Sequence, residues 1–298
     1  MRLYSSNTRG SIFMVLAMWA FAIEDMLIKA VANTVPTGVV LAIFGLGGML
    51  IFMLLTWRRK EAIIHPAILS RPILLRAACE VTGRLFFILA ITLTPLSSAS
   101  TILQATPLVV VAGAALFFGE KVGFRRWCAV LVGFVGVLIV IRPGAGSFEP
   151  ASLLAVIGMI GFAGRDLATR AAPSVLSNMQ LGIYGFFIMI PTGLAMQMYT
   201  GSVVRIDLVA SGLMTGAIVF GVIAYQCLTI AMRTGDVSVV APFRYVRLLF
   251  AVFIGAVVFD EQLDMAMLLG GVIIVLSGCY TLVHNRWSIA SEPKRDFV

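Results

Sequence analysis

Ten apolar runs, each long enough to cross a bilayer as a helix, leave little of this chain for anything else. They fall roughly at 11–30, 37–57, 72–93, 97–118, 125–141, 151–170, 178–199, 208–231, 237–259 and 265–284. A transmembrane helix needs about 20 apolar residues, so ten of them use roughly two thirds of the 298 residues. Connections punctuated by Pro, Gly and charge take up the rest. Only 12% of residues are charged, against about 25% in soluble domains. A water-soluble enzyme, a nucleic-acid-binding domain and a disordered chain are therefore excluded. The runs are continuously apolar, which selects helices over the alternating strands of a barrel. The opening segment, with Arg2, Arg9 and then Ala17, Ala20 and Ala22, imitates a signal peptide. Glu24 and Asp25 follow too soon for that, and it is read as the first span.

Basic residues set the orientation. With the N-terminus inside, fourteen Lys and Arg lie in cytoplasmic segments, including Arg58, Arg59, Lys60, Lys121, Arg125 and Arg126. Only Lys29, Arg142 and Arg205 lie outside. Both termini are expected in the cytoplasm. The basic stretch at 58–60 is an orientation signal that can also meet lipid head groups. It is not a nucleic-acid patch.

Shifting the chain by 141 residues superimposes it on itself. Phe21/Phe162, Ala22/Ala163, Asp25/Asp166, Ala30/Ala171, Ala90/Ala231, Ser97/Ser238, Phe118/Phe259 and Glu120/Glu261 are identical, and Lys29/Arg170 keep their charge. The chain thus reads as two five-helix repeats, 1–145 and 146–298, within one transmembrane domain. Five is odd, so the second repeat enters the membrane from the opposite side. Inverted repeats build alternating-access carriers with a site near the midplane.

The segment "LTPLSSASTILQATPLVVVAGAALFFGE" (Leu93–Glu120) and its second copy "RTGDVSVVAPFRYVRLLFAVFIGAVVFDE" (Arg233–Glu261) resemble the ten-helix EamA-like branch of the drug/metabolite transporter superfamily. The closing Glu120 and Glu261 and the "APFRY" of Ala241–Tyr245 carry the likeness. The resemblance implies a multi-pass carrier of the bacterial inner membrane. It implies a cavity lined by the first, third and fourth helices of each repeat, and a fifth helix that packs outside or at a homodimer surface. Known substrates of similar proteins include amino acids and their derivatives, vitamins and nucleoside-like metabolites.

Charges inside spans cost about 2.5–3.5 kcal/mol each on insertion scales, and persist where they line a wet cavity or find a partner. Glu24, Asp25, Arg76, Glu80, Arg84, Arg165, Asp166, Arg244 and Arg247 all fall on those six helices by the family map. Arg76, Glu80 and Arg84 share one face at i, i+4, i+8, where Glu80 can pair with either Arg. Arg244 and Arg247 follow Pro242 on one face. Two readings of them stand together: planar donors gripping a substrate anion, with Tyr245 nearby, or partners of Glu24, Asp25, Glu80 or Asp166. Asp25 and Asp166 each have a basic residue four places on, Lys29 and Arg170, which makes a helix-surface pair their simplest role. Glu24 and Glu80 are then the better proton carriers. The substrate-contacting set expected from sequence is Arg84, Phe86, Gln104, Arg165, Tyr225, Arg244, Tyr245 and Arg247. Other aromatics, including Trp19, Phe21, Phe87, Phe162 and Phe243, suit stacking or packing.

Pro95, Pro107, Pro191 and Pro242 mark helices expected to move, and Gly212-x3-Gly216 and Ala129-x3-Gly133 mark close helix contacts. Cys79, Cys128, Cys227 and Cys279 lie inside apolar segments and are expected to be buried free thiols. His65 and His284 stand apart. No metal, phosphate-loop or nucleophile motif is present in the sequence, and no cofactor is expected. The mixed cavity charge favours an amino acid or derivative as substrate over a lipophilic cation. A riboflavin-like or S-adenosylmethionine-like substrate is the alternative. A membrane-embedded transferase or a structural membrane protein is the reading of another class.

Overall fold

The computed structural model of the chain describes residues 2–118, 123–142, 149–173, 175–201, 206–234 and 241–290. Among them there are helices and no strands. In chain order they are α1 (Arg2–Ala32), α2 (Thr37–Arg58), a 3-10 turn (Pro66–Leu69), α3 (Arg71–Leu93), α4 (Leu96–Leu103), α5 (Thr106–Phe118), α6 (Phe124–Ile141) and α7 (Ser152–Arg170). Then come α8 (Asn178–Phe187), α9 (Met189–Thr200), α10 (Leu208–Thr234), a 3-10 turn (Ala241–Tyr245), α11 (Val246–Val258) and α12 (Met265–Ala290).

Among the described residues, six stretches are long and apolar enough to cross a membrane: Thr8–Ala32, Thr37–Arg58, Leu96–Phe117, Ser152–Thr169, Asn178–Thr200 and Leu208–Ala231. The sequence leads one to expect ten. The helix α3 has the length but holds Arg76, Glu80 and Arg84 in one stretch. The apolar parts of α6 and α12, Trp127–Ile141 and Met265–Ser277, are shorter, and residues 235–240 before α11 lie outside the described residues.

Two of the expected helices are broken, each beside a proline. Pro107 has no N–H to offer Leu103, and the Thr106 hydroxyl bonds the Leu103 carbonyl instead, at 2.5 Å. The chain pinches at Gln104 and Ala105, whose N–H groups reach back only three residues, to Thr101 and Ile102. Pro191 does the same between α8 and α9, and there Thr192 bonds the Ile188 carbonyl at 2.8 Å. Ser177 and Gln180 close a capping box at the start of α8.

The main helix pairings are α1 with α10, α3 with α7, α2 with α8 and α9, and α6 with α12; α5 also meets α7, α11 meets α1, and α4 meets α11. Exchanging each helix for its counterpart 141 residues away returns the same set, except for the α4–α11 pairing, whose counterpart falls partly outside the described residues. The outward faces are apolar: Leu131, Val135 and Leu138 on α6, and Leu269, Val272 and Leu276 on α12, are all exposed. Exposed apolar faces of this extent belong against hydrocarbon.

Glycine sets the closest approaches. A Cβ on Gly161 of α7 would stand 2.3 Å from the backbone nitrogen of Gly83 on α3. One on Gly193 of α9 would stand 2.4 Å from the Gly38 carbonyl oxygen on α2. The expected Gly212-x3-Gly216 contact is not of this kind, because Gly212 faces open space. Between α6 and α12, Gly133 does meet side chains of Leu108 and Ser277, while the backbone contact is made by Gly136 and Gly270. Gly161→Ala is expected to cost about 1–3 kcal/mol by forcing α3 and α7 apart. Gly212→Ala is expected to be neutral. Thermal unfolding in detergent compares the two. Equal midpoints would show that the Gly83–Gly161 contact does not limit packing. The four cysteines are free thiols, half-buried rather than fully buried.

Candidate substrate cavity

A cavity opens between the helices, lined by Met18, Phe21, Arg84, Leu103, Gln104, Thr106, Pro107, Phe162, Arg165, Leu228, Arg244 and Arg247. Five of the residues singled out from sequence reach it: Arg84, Gln104, Arg165, Arg244 and Arg247. Gln104 does so because it sits at the pinch between α4 and α5. Arg244 and Arg247 do so together because a 3-10 turn runs into α11 there, and residues three apart nearly eclipse in that geometry. The lining residues Phe21 and Phe162 are repeat mates.

Three of the residues expected there, Phe86, Tyr225 and Tyr245, are not in the cavity lining. Phe86 does not line the cavity. One step along α3 turns the side chain by about 100°, and Phe87 takes the inward face, 6.0 Å from the Phe162 ring. Tyr225, the repeat mate of Arg84, bonds Arg76 and donates to the Leu181 carbonyl at 3.2 Å. Tyr245 is buried, and its hydroxyl has no partner. It is not in the cavity lining beside Arg244 and Arg247.

The intramembrane charges form two ion pairs and one larger cluster. Arg84 donates to Glu24, which is fully buried. Arg247 donates to Asp25 at 2.5 Å. Arg244 donates to Asp166 at 2.9 Å, and Arg165 reaches both Asp166, at 2.9 Å, and Glu80, at 3.3 Å. Glu80 also meets Arg76 at 3.5 Å. Glu24 is therefore paired, and Glu80 chooses Arg165 over Arg84 as its second arginine. Asp25 is not held by Lys29 four places on. Lys29 instead donates to Glu261 at 3.0 Å, 232 residues away. The side chain of Arg170 and all of Glu120 lie outside the described residues. Guanidinium groups also lie over rings: Arg247 over Phe21 at 5.0 Å, Arg165 over Phe162 at 4.8 Å and Arg84 over Phe44 at 5.2 Å.

Sequence reasoning missed the latch at one end of the bundle, although it had marked Glu261. One Glu261 oxygen accepts the N–H of Leu96 at 2.6 Å and Lys29 at 3.0 Å. The other accepts the N–H and the hydroxyl of Ser97, at 3.0 and 2.7 Å. Lys29 also donates to the Thr94 carbonyl at 2.9 Å. The carboxylate caps the start of α4 and ties it to the far end of α11. Burial alone would raise the Glu261 pKa, but the Ser97, Leu96 and Lys29 bonds outweigh it and hold the carboxyl below its ordinary range.

The EamA-like transporter family matches residues 8–142 and 150–283. The chain belongs to that family. Its EamA-like relatives include a riboflavin transporter of Vibrio cholerae, 32% identical over 188 residues, which are 61% of this chain and 61% of the relative. The pseudopaline exporter CntI of Pseudomonas aeruginosa is 27% identical over 93% of this chain and 96% of its own. An S-adenosylmethionine uptake transporter of Rickettsia prowazekii is 24% identical over 75% of this chain and 76% of its own. A solved crystal structure aligns over 95% of this chain and 99% of its own, with a TM-score of 0.66 at 16% identity, and shares the fold.

Proposed function

We propose that this membrane transporter of the EamA-like family is a secondary carrier that moves a small polar metabolite across the bacterial inner membrane by alternating access. In this reading the chain has ten spans, in inverted repeats 1–145 and 146–298, with both termini in the cytoplasm. The observation that carries it is the cavity between helices of both repeats, lined by four arginines. The exchange symmetry of the helix pairings supports the repeats. By the charge count, the Glu261–Lys29 latch lies at the outer end and holds that end shut, while substrate reaches Arg244 and Arg165 from the cytoplasm. Lipid covers the apolar outer faces, and a second copy is a candidate partner for α6 and α12.

An amino acid or derivative is the favoured substrate on the mixed sign of the charges within the spans. The named relatives instead carry riboflavin, S-adenosylmethionine and pseudopaline in their descriptions, and the vitamin or nucleoside-like alternative rests on them. Exchange of labelled amino acids, riboflavin and S-adenosylmethionine in proteoliposomes tests the function, with and without a pH gradient. Saturable exchange is expected, and Arg244→Ala is expected to lower it about tenfold or more, the worth of one charge-assisted hydrogen bond. Dependence on the gradient would bring Glu24 and Glu80 forward as proton carriers. Unchanged flux in Arg244→Ala would remove that residue from the site.

A further inference from the structure

The cavity wall offers donors and no carboxylate. Arg84, Arg165, Arg244 and Arg247 reach it, while Glu24, Asp25, Glu80 and Asp166 stand behind them and do not line it. Three donors of lining residues have no partner: Arg84 Nε, Arg247 Nε and Gln104 Nε2. Arg84 and Gln104 are 3% and 4% exposed, so bulk water does not serve them. Buried donors of this kind cost free energy until an acceptor arrives. The charge count agrees. In the charge network taken as a whole, which is two ion pairs and one cluster, five arginines, with Arg76, face four acids, and the unmatched arginine belongs to the cluster that holds Arg165 and Arg244. One formal positive charge is left over in a low-dielectric setting, which is costly.

We infer that the substrate is an organic monoanion, whose carboxylate accepts hydrogen bonds from Arg84, Arg247 and Gln104. It leaves the loaded network neutral. An ammonium group on the substrate would face guanidinium groups with no carboxylate to receive it, which disfavours a free zwitterionic amino acid and favours an N-blocked one or a simple carboxylic acid. Met18, Phe21, Leu103, Phe162 and Leu228 supply apolar wall for the body of the molecule. This inference rests on reading the cavity as the transport site.

The test uses probes of one shape and different charge: benzoate, benzamide and benzylammonium, with phthalate as a dianion. Protection of the full chain against thermal unfolding in detergent, at fixed ionic strength, gives a half-effect concentration for each. Benzoate is expected to act at about one tenth the concentration of benzamide, and benzylammonium is expected not to protect. The preference should follow the charge count. Arg244→Gln makes the network neutral and should level benzoate with benzamide. Asp166→Asn raises it by one charge and should favour phthalate. Both positions are partly exposed, which favours folding of the variants. No protection by benzoate, equal protection by benzamide, or a preference unmoved in both variants would overturn the inference. The same compounds are run as competitors of proteoliposome exchange. Riboflavin or S-adenosylmethionine exchange untouched by benzoate would overturn the monoanion and leave the carrier standing. Benzoate protection without exchange of any compound would do the reverse.

Discussion

Arg84→Ala is expected to destabilise the folded protein by about 3–5 kcal/mol, the cost of leaving a buried charge without its partner. Glu24 has no solvent exposure. One of its oxygens has no hydrogen-bond partner even with Arg84 in place. Around it lie α1, α3 and α10, close enough that a Cβ on Gly221 would come within 3.3 Å of the carboxyl carbon. Arg84 also covers the rings of Phe44 and Phe162, so alanine removes packing as well. The double variant Glu24→Gln with Arg84→Gln removes both charges at similar volume and should recover most of the loss. Thermal midpoints in detergent, with the yield of monodisperse protein, read both. A single variant as stable as the wild type would show that Glu24 does not depend on Arg84.

Glu261→Ala is expected to open the end of the bundle that the proposed orientation places outside. The carboxylate takes four hydrogen bonds, from Lys29, Leu96 and Ser97. Bonds to a charged group are worth about 1.5–3 kcal/mol each, so losing even one shifts a two-state balance roughly tenfold or more. The folded-state pKa is depressed, so the stabilisation is present at neutral pH and is lost as pH falls through that lowered value. The reporter is Ser100→Cys on α4, in a chain whose four native cysteines are replaced. Ser100 is buried and its hydroxyl has no partner. A membrane-impermeant maleimide added outside should label it about tenfold faster or more in the Glu261→Ala background. An unchanged labelling rate in a folded variant would mean that the latch does not hold this end.

Helix positions and the 141-residue offset were legible because both are written in long stretches, where many residues agree. The breaks beside Pro107 and Pro191 were not read from sequence, where 97–118 and 178–199 stood as single helices and the prolines marked only helices expected to move. Nor were the partners of the charges. Local spacing assigned Asp25 to Lys29, but Asp25 binds Arg247 across 222 residues, and Lys29 binds Glu261. A buried charge takes the best-placed partner in space, and sequence spacing sees only those on its own helix. Phe86 and Phe87 are equally apolar and adjacent, so only packing shows which turns inward. Tyr225 was expected among the substrate contacts, and its place is beside Arg76.

The pairing of helices also governs how such a chain can be made. During synthesis, α1, α2, α3 and α6 leave the ribosome first, and their main neighbours α10, α8, α9, α7 and α12 come later. A chain that has reached only residue 142 must keep Arg76, Glu80 and Arg84 in the bilayer while Arg165 and Tyr225 are still unmade. Assembly therefore waits for the second half to thread between helices already inserted. A truncated first half is left with exposed charge and unmatched glycine faces, which mark it for the quality-control proteases of the membrane.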